Sequence, residues 1–333
     1  MLERKNEIRQ IYLTFLYAII NRQGASMNYQ QMLLSKNGFA TMKLAKEFLK
    51  HSVGSNIPTI TELCETMDLA RGTVQNSLKF LQSNKAIRLE SRGHLGTFLI
   101  EKNTRILLEF SGITSIVGVM PLPYSKKYEG FASGLIVAME NQYNVPAYMA
   151  YMRGAVNRIG MLLSDRYDYA VVSKYAANQF LMKNDSIMVV KSFGINSYLS
   201  EHIVIFHNKD VHEILPGMKV GIDADSIDQK DLTEKVCKGI DVTFVQTEYS
   251  QILDKVISGD IDAAVWNKDE ITDKFVKINY ITVAQKNSED TEAVIVVSKD
   301  KPELAILLNE IIDVDSVVNI QKLVLDGKIT PSY

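Results

Sequence analysis

The stretch PTITELCETMDLARGTVQNSLKFLQS, residues 58–83, has the pattern of two short helices separated by a tight turn. Thr59 followed by Glu62 has the spacing of a capping box, which predicts that the first helix starts here. The apolar residues then recur at helical spacing and form one stripe, namely Ile60, Leu63, Cys64 and Met67. We therefore expect the first helix to pack against a core.

The second helix is predicted from about Arg71 to Ser83, and its two faces differ. The inward positions are apolar, namely Val74, Leu78 and Leu81. The outer face has no acidic residue and consists of Arg71, Gln75, Lys79 and Gln82. A helix with one apolar face and one basic, polar face is typical of a DNA-reading element.

A basic hairpin is predicted directly after these helices. Residues 87–90 and 97–100 are rich in strand formers, and the loop between them, SRGHLG, contributes turn glycines together with Arg92 and His94. Two helices followed by such a wing predict a winged helix-turn-helix that binds a double-stranded DNA operator.

At these residues the sequence resembles the GntR-type regulators, whose pattern joins a capped helix, an Arg-Gly-Thr-Val run and a Gly-x-Gly-Thr-Phe-like wing. The matching residues are Pro58, Thr59, Glu62, Leu63, Arg71-Gly72-Thr73-Val74, Leu78, Leu81 and Gly96-Thr97-Phe98. The chain departs from the pattern at Ala70 in place of a serine cap, at Gln75 in place of a second arginine, and at His94-Leu95 within the wing.

The expected DNA contacts fall into two groups, those to bases and those to phosphates. We expect Arg71, Thr73 and Gln75 to approach base edges, and Lys79 and Arg92 to contact phosphates. His94 completes this set from the wing. The formal net charge of the whole chain is −2, so the positive charge needed for DNA is local to this module.

From residue 111 onward the pattern changes to alternating strands and helices, which predicts parallel sheets with crossover helices. The run SDRYDYAVV, residues 164–172, resembles SGDIDAAVW, residues 258–266, so the region contains two similar α/β lobes. Residues 202–206 and 293–297 are expected to cross between the lobes. This architecture places a ligand cleft beyond the strand ends.

This region also resembles the YhfZ-type branch of the regulators, in which the DNA-binding part is joined to a bilobed α/β domain like a type 2 periplasmic binding protein. The predicted domains are residues 1–35, a helical extension; 36–105, the winged helix; and 106–333, the bilobed sensing domain.

Side chains that follow the strands are the candidate ligand contacts, because loop amides and helix starts there favour anions. The predicted set is Tyr124, Ser125, Arg153, Ser173, Ser226, Trp266 and Asn267. Arg153 fits either a carboxylate or phosphate clamp or an ordinary surface arginine. The two helix-start serines fit simple capping as well, and the sole tryptophan fits core packing.

Nothing in the sequence predicts a metal, a cofactor or catalysis. Cys64 and Cys237 lack partners at disulfide or metal-ligand spacing, and Cys64 is expected in the core. No glycine-rich phosphate loop or nucleophile motif is present. The apolar run at 11–20 is too short to span a bilayer, so we expect a cytoplasmic protein.

The first residues carry a wide apolar stripe from Ile8 to Ile19. It fits packing onto the chain's own winged helix and contact with a second subunit equally well, and we expect a homodimer.

The expected function is a ligand-responsive transcriptional regulator whose cleft binds a small anionic or zwitterionic effector. Two alternatives stay open. A buried titratable group with a strongly shifted pKa in the cleft would favour an enzyme fused to a DNA-binding domain. A cleft filled by side chains would favour a domain that only dimerises.

Overall fold

Helices dominate residues 35–113, and strands alternate with helices beyond them. The computed structural model describes residues 35–143, 146–274, 278–283 and 288–333. Contacts divide the chain into two units, one ending at Ile113 and the other covering Thr114–Tyr333. The predicted stripe from Ile8 to Ile19 lies outside the described residues.

The first unit is a three-helix core with a two-stranded hairpin and a further helix. Its elements are α1 (Lys36–Leu49), α2 (Ile60–Met67), α3 (Arg71–Ser83), β1 (Ile87–Ser91), β2 (Thr97–Lys102) and α4 (Thr104–Ser111). The predicted winged helix-turn-helix is confirmed in its element order. The first unit runs to Ile113, since α4 packs against α1. The domain limit predicted after residue 105 stays a prediction.

The predicted capping box at the start of α2 is present in both directions. The Glu62 amide donates to Thr59 Oγ1 at 3.2 Å, and the Thr59 amide donates to Glu62 Oε2 at 2.7 Å. Leu63 and Met67 are buried, whereas Cys64, expected in the core, is half-buried. Because Ala70 has no side-chain acceptor, α3 starts without a side-chain cap.

The wing loop is fixed to the segment before α2. Asn56 Nδ2 donates to the Leu95 carbonyl at 3.1 Å. Gly96 has φ +91°, and a Cβ there would lie 2.9 Å from the Asn56 side chain. Only glycine suits this combination of backbone conformation and close approach, so the wing turn depends on Gly96.

The second unit consists of two α/β lobes. Lobe 1 contains β3 (Ile116–Met120), α5 (Lys126–Tyr143), β4 (Ala147–Tyr151), α6 (Ala155–Leu163), β5 (Tyr169–Ser173), α7 (Lys174–Leu181) and β6 (Ile187–Ser192). Lobe 2 contains β7 (His202–Phe206), β8 (Lys219–Ile222), α8 (Ile227–Val236), β9 (Thr243–Gln246), α9 (Tyr249–Ser258), β10 (Ala263–Asn267), α10 (Lys268–Lys274) and β11 (Asn279–Thr282). The chain then returns to lobe 1 with β12 (Ala293–Ser298), α11 (Pro302–Ile311) and α12 (Val314–Leu325).

The two sheets have the same strand order. Lobe 1 is ordered β4-β3-β5-β12-β6 and lobe 2 is ordered β9-β8-β10-β7-β11. In each sheet three parallel strands are followed by one antiparallel strand, β12 or β7, that the chain reaches by crossing from the other lobe. The predicted crossing strands and the bilobed, type 2 binding-protein architecture are therefore confirmed.

The internal repeat has a matching hydrogen bond in each lobe. Asp168 Oδ2 accepts from the Val117 amide at 2.8 Å, and Asp262 Oδ2 accepts from the Lys219 amide at 2.7 Å. In both lobes the aspartate before the third strand holds the start of the first strand.

Candidate functional site

The predicted DNA contacts are accessible in the first unit. Arg71, Gln75 and Lys79 are exposed on α3, and Thr73 is half-buried at its first turn. Arg92 and His94 are exposed in the wing. The side chains of α3 and the wing that were predicted to bind DNA are thus accessible to DNA.

Two of these arginines have protein contacts that set their direction. Arg71 Nη1 lies 3.5 Å from Thr61 Oγ1 of α2. Arg92 Nε donates to Glu90 Oε1 at 2.7 Å, and its guanidinium lies 4.6 Å from the centre of the Phe98 ring. Stacking on Phe98 limits the rotamers of Arg92, so its charge is held at the wing.

A cavity of about 70 Å³ lies where the two lobes of the second unit meet. Tyr124, Arg153 and Ser226 of the predicted set line it. Ser226 starts α8 without a side-chain cap bond, so capping does not occupy its hydroxyl. The volume is well below the 300–1,000 Å³ typical of small-molecule sites, so a metabolite would enter only if the lobes moved apart.

The other four predicted residues are buried and do not line the cavity, namely Ser125, Ser173, Trp266 and Asn267. Ser173 Oγ accepts from the Ala176 amide at 3.0 Å, and Asn267 Oδ1 accepts from the Asp269 amide at 3.0 Å. Short polar side chains at a strand end satisfy the orphan amides of the following helix, so both of these oxygens already have a partner within the chain.

Trp266 lies one layer below the cavity surface. Its ring stacks on Tyr249 with centroids 4.1 Å apart and an interplanar angle of 12°, and Tyr249 in turn lies 6.5 Å from Tyr124 of lobe 1. Trp266 therefore packs in the core of lobe 2. Tyr249, which covers it, is the ring that lines the cavity.

Arg153 bridges the lobes instead of pointing freely into the cleft. Its Nη1 lies 2.9 Å from Glu248 Oε2, and its Nη2 lies 3.7 Å from Asp225 Oδ2. Arg153 belongs to lobe 1 and both carboxylates belong to lobe 2. The guanidinium predicted to clamp an anion is thus already paired with two protein anions.

Arg158 of α6 is the buried cation of the cavity, with 3% of its surface exposed. Nε donates to the Val171 carbonyl at 3.0 Å, Nη1 to the Met152 carbonyl at 2.8 Å, and Nη2 to Tyr198 Oη at 3.0 Å. Within the described ranges of the chain, no carboxylate forms an ion pair with Arg158. Two of its five N–H donors remain for another acceptor.

Sequence reasoning missed Arg158, although a signal was present. Ala155, Ile159 and Leu162 recur at helical spacing and form the buried face of α6. Arg158 falls within that stripe, where an apolar side chain is expected. A charged residue in a buried stripe indicates either a structural ion pair or a ligand site.

Acidic side chains line the lobe 2 side of the same cavity. Asp228 accepts from Ser173 Oγ at 2.8 Å through each carboxylate oxygen, and Glu270 Oε1 accepts from Tyr249 Oη at 3.0 Å. Burial raises the pKa of Asp228 from 3.8 to about 6, although His202, the Ser173 hydroxyl and Arg158 oppose the rise. The cavity therefore has a cation on lobe 1 and carboxyls on lobe 2.

A buried histidine completes the floor of the cavity. His202, the first residue of β7, lies with Nδ1 2.6 Å from Asp290 Oδ2. Asp290 belongs to a short 3-10 helix, Glu289–Thr291, that precedes β12. This pair joins the two segments through which the chain crosses between lobes.

Metal binding has no support in the described part of the chain, where no three His, Cys, Asp or Glu side chains are grouped as ligands. None of the described helices has the length and apolar character needed to cross a membrane. The predicted lack of a metal stays a prediction.

Comparison with protein families identifies this arrangement. The profile of the YhfZ C-terminal domain matches residues 103–333, more than half of the chain. The chain belongs to the YhfZ family. A helix-turn-helix domain profile matches residues 52–99. The predicted YhfZ-type branch is confirmed, and the resemblance to GntR-type regulators stays a prediction.

Similar proteins cover between 65% and 91% of this YhfZ-family chain. It is 33% identical to the uncharacterized protein YhfZ of Escherichia coli strain K12 over 307 residues, covering 91% of this chain and 100% of the relative. A crystal structure of YhfZ from Shigella flexneri is 32% identical and covers 69% of this chain and 97% of its own, with a TM-score of 0.56. A periplasmic substrate-binding protein of an ABC transporter from Coxiella burnetii is 12% identical, covering 65% of this chain and 100% of its own, with a TM-score of 0.47.

Proposed function

We propose that this protein is a cytoplasmic, ligand-responsive transcriptional regulator and not an enzyme. The helix-turn-helix unit supports binding to an operator in double-stranded DNA, through the exposed side chains of α3 and the wing. The bilobed unit supports sensing of a small molecule between its lobes. A ligand that binds one arrangement of the lobes more tightly than the other shifts the balance between them. That difference in ligand affinity sets how far the ligand can change the affinity for the operator.

Arg158 is the observation that carries the sensing role. A buried guanidinium without an ionic partner among the described side chains is costly, and an anion that accepts its two remaining donors would offset that cost. Asp228 and Glu270 on the facing lobe can accept hydrogen bonds from a donor group at the ligand's other end. The effector is therefore a small anionic or zwitterionic metabolite, with Tyr124, Arg153 and Ser226 as further contacts.

A thermal-shift screen tests this proposal. The full chain is unfolded, dialysed and refolded to remove bound metabolites, and is then melted with a library of amino acids, carboxylic acids and sugar phosphates. A carboxylate or zwitterion should raise the melting temperature, and the same compound should change the operator's Kd by about 5- to 150-fold. Absence of any stabilising anion would contradict the sensing role.

The two groups of DNA contacts should respond differently to mutation. Arg71→Ala should weaken operator binding by about 1–3 kcal/mol and relax the sequence preference at one position. Lys79→Ala should weaken all DNA alike and lower the salt slope by about one. The measurement is a titration at several salt concentrations with an operator selected from random sequence. If Arg71→Ala leaves operator binding unchanged, the base-contact role is wrong.

We also propose a homodimer, because paired winged helices read paired half-sites. Light scattering at micromolar concentration should give twice the chain mass. Phe15→Asp, within the apolar stripe from Ile8 to Ile19, should shift the mass toward that of one chain. A single-chain mass for the unmodified protein would exclude the dimer.

The burial of Asp228 in the cavity wall, which raises the pKa of its carboxyl to about 6, favours the enzyme alternative, because buried acids with raised pKa values are common at catalytic sites. Mass spectrometry of the stabilising compound after incubation separates the two functions. A regulator leaves the compound unchanged. Conversion by the unmodified protein, lost in Asp228→Asn, would identify an enzyme.

The small cavity volume favours the other alternative, a domain that only holds subunits together. The thermal-shift screen tests it as well, since such a domain would bind none of the compounds.

A further inference from the structure

Side chains of the two lobes meet at the rim of the cleft in a polar arrangement that the sensing role does not require. Lobe 1 provides Arg153, and lobe 2 provides the carboxylates of Asp225 and Glu248, at 3.7 and 2.9 Å from the guanidinium. The side chains of Arg153, Asp225 and Glu248 are 26%, 44% and 61% exposed, so water screens these pairs and their contribution to closure is modest.

The same division of donors and acceptors continues into the interior. Ser173 of lobe 1 donates to the buried carboxyl of Asp228, and Tyr175 Oη lies 2.9 Å from Asp231 Oδ2. Both aspartates belong to α8 of lobe 2. At every one of these contacts lobe 1 contributes the donor and lobe 2 the carboxyl group.

The backbone at the rim is also shaped for close approach of the lobes. Gly154 has φ +78°, and a Cβ placed on it would lie 2.7 Å from the Asp225 carbonyl oxygen in lobe 2. Any side chain at residue 154 would collide with the opposite lobe. A glycine here therefore permits a contact between lobes that another residue would prevent.

We propose that Arg153, Gly154, Asp225 and Glu248 form an interlobe latch that holds the cleft closed by contacts within the chain, so that the effector must open it to reach Arg158. This inference rests on the proposed sensing function, and it describes how access to that site is regulated. The effector competes with the latch, because its anionic group attracts Arg153, which otherwise pairs with the carboxylates of lobe 2.

The experiment measures the separation of the lobes in the refolded, metabolite-free full chain. Spin labels are placed at Val156→Cys on α6 and Ser250→Cys on α9, which are exposed positions next to the two sides of the latch. Cys64→Ser removes the half-buried native thiol, whereas Cys237 is buried. Pulsed electron paramagnetic resonance then gives the distribution of distances between the labels.

The unmodified latch should give a distribution dominated by the short distance. The double variant Asp225→Asn with Glu248→Gln should raise the ratio of long to short distances about fivefold, as expected for loss of a partly exposed ion pair. Gly154→Ala should shift the distribution in the same direction, since its methyl group meets the Asp225 carbonyl. Arg166→Met, an exposed arginine of lobe 1 without a described partner across the cleft, is the matched control and should leave the distribution unchanged.

Two results would overturn the latch. One is a metabolite-free protein that shows mainly the long distance, and the other is a double variant whose distribution matches that of the unmodified chain. Neither result affects the thermal-shift test, in which an anion can still bind through Arg158. Conversely, a short distance that depends on the latch residues supports the latch even if no compound in the library binds.

Discussion

Replacement of Arg158 by methionine should weaken binding of the anionic effector by at least about 100-fold. Three of the five guanidinium donors have protein acceptors, which leaves two for the effector, and hydrogen bonds to a charged group contribute about 1.5–3 kcal/mol each. Methionine keeps much of the side-chain volume on the buried face of α6 but provides neither charge nor donors. Calorimetry with the compound found by thermal shift measures the change.

The control for this variant is Arg166→Met, which removes an exposed arginine shortly after α6. It should bind with the affinity of the unmodified protein. Thermal melts of both variants without ligand separate loss of binding from loss of folding, because Arg158 also donates to two backbone carbonyls. A folded Arg158→Met protein that binds the effector normally would place the anion site elsewhere.

Local sequence signals were sufficient for much of the fold. The capping box at Thr59 and Glu62 is typical of a helix N-terminus, and the structure contains both of its hydrogen bonds. The two aspartate-bearing turns before residues 169 and 263 identified the repeated lobes, because a turn followed by a buried strand is encoded within nine residues. Crossing strands followed from their continuous apolar character.

The interior of the cleft could not be predicted in the same way. Ser173 and Asn267 stand at strand ends, where capping the next helix and contacting a ligand require the same residue types. The pairing of Arg153 with Asp225 and Glu248 joins residues far apart in sequence, and it depends on how the lobes meet. Arg158 was the exception, since its place in an apolar stripe was visible from α6 alone.

The stability of the second unit should depend on pH through Asp228, because burial raises its pKa from 3.8 to about 6. Between these two values the folded chain binds more protons than the unfolded chain. The contribution of Asp228 to the free energy of unfolding is therefore largest at and below about pH 4 and is lost as the pH rises to about 6, where the buried carboxyl must ionise. Ionised His202 and Arg158 would favour the carboxylate, whereas Asp290 opposes it, and desolvation is the largest cause.

Asp228→Asn should remove this dependence, since an amide stays neutral and can still accept from Ser173 Oγ. At pH 7.5 the variant should be more stable than the unmodified protein by up to about 3 kcal/mol, and near pH 4 the difference should vanish. Urea unfolding followed by the fluorescence of Trp266 at pH 4, 5, 6 and 7.5 measures this difference in stability.

Asp254→Asn, exposed on α9, is the matched control and should follow the unmodified profile. If Asp228→Asn also follows that profile at every pH, the buried carboxyl does not control the stability of this unit, and its hydrogen bond with Ser173 stabilises the ionised form as well as the neutral one.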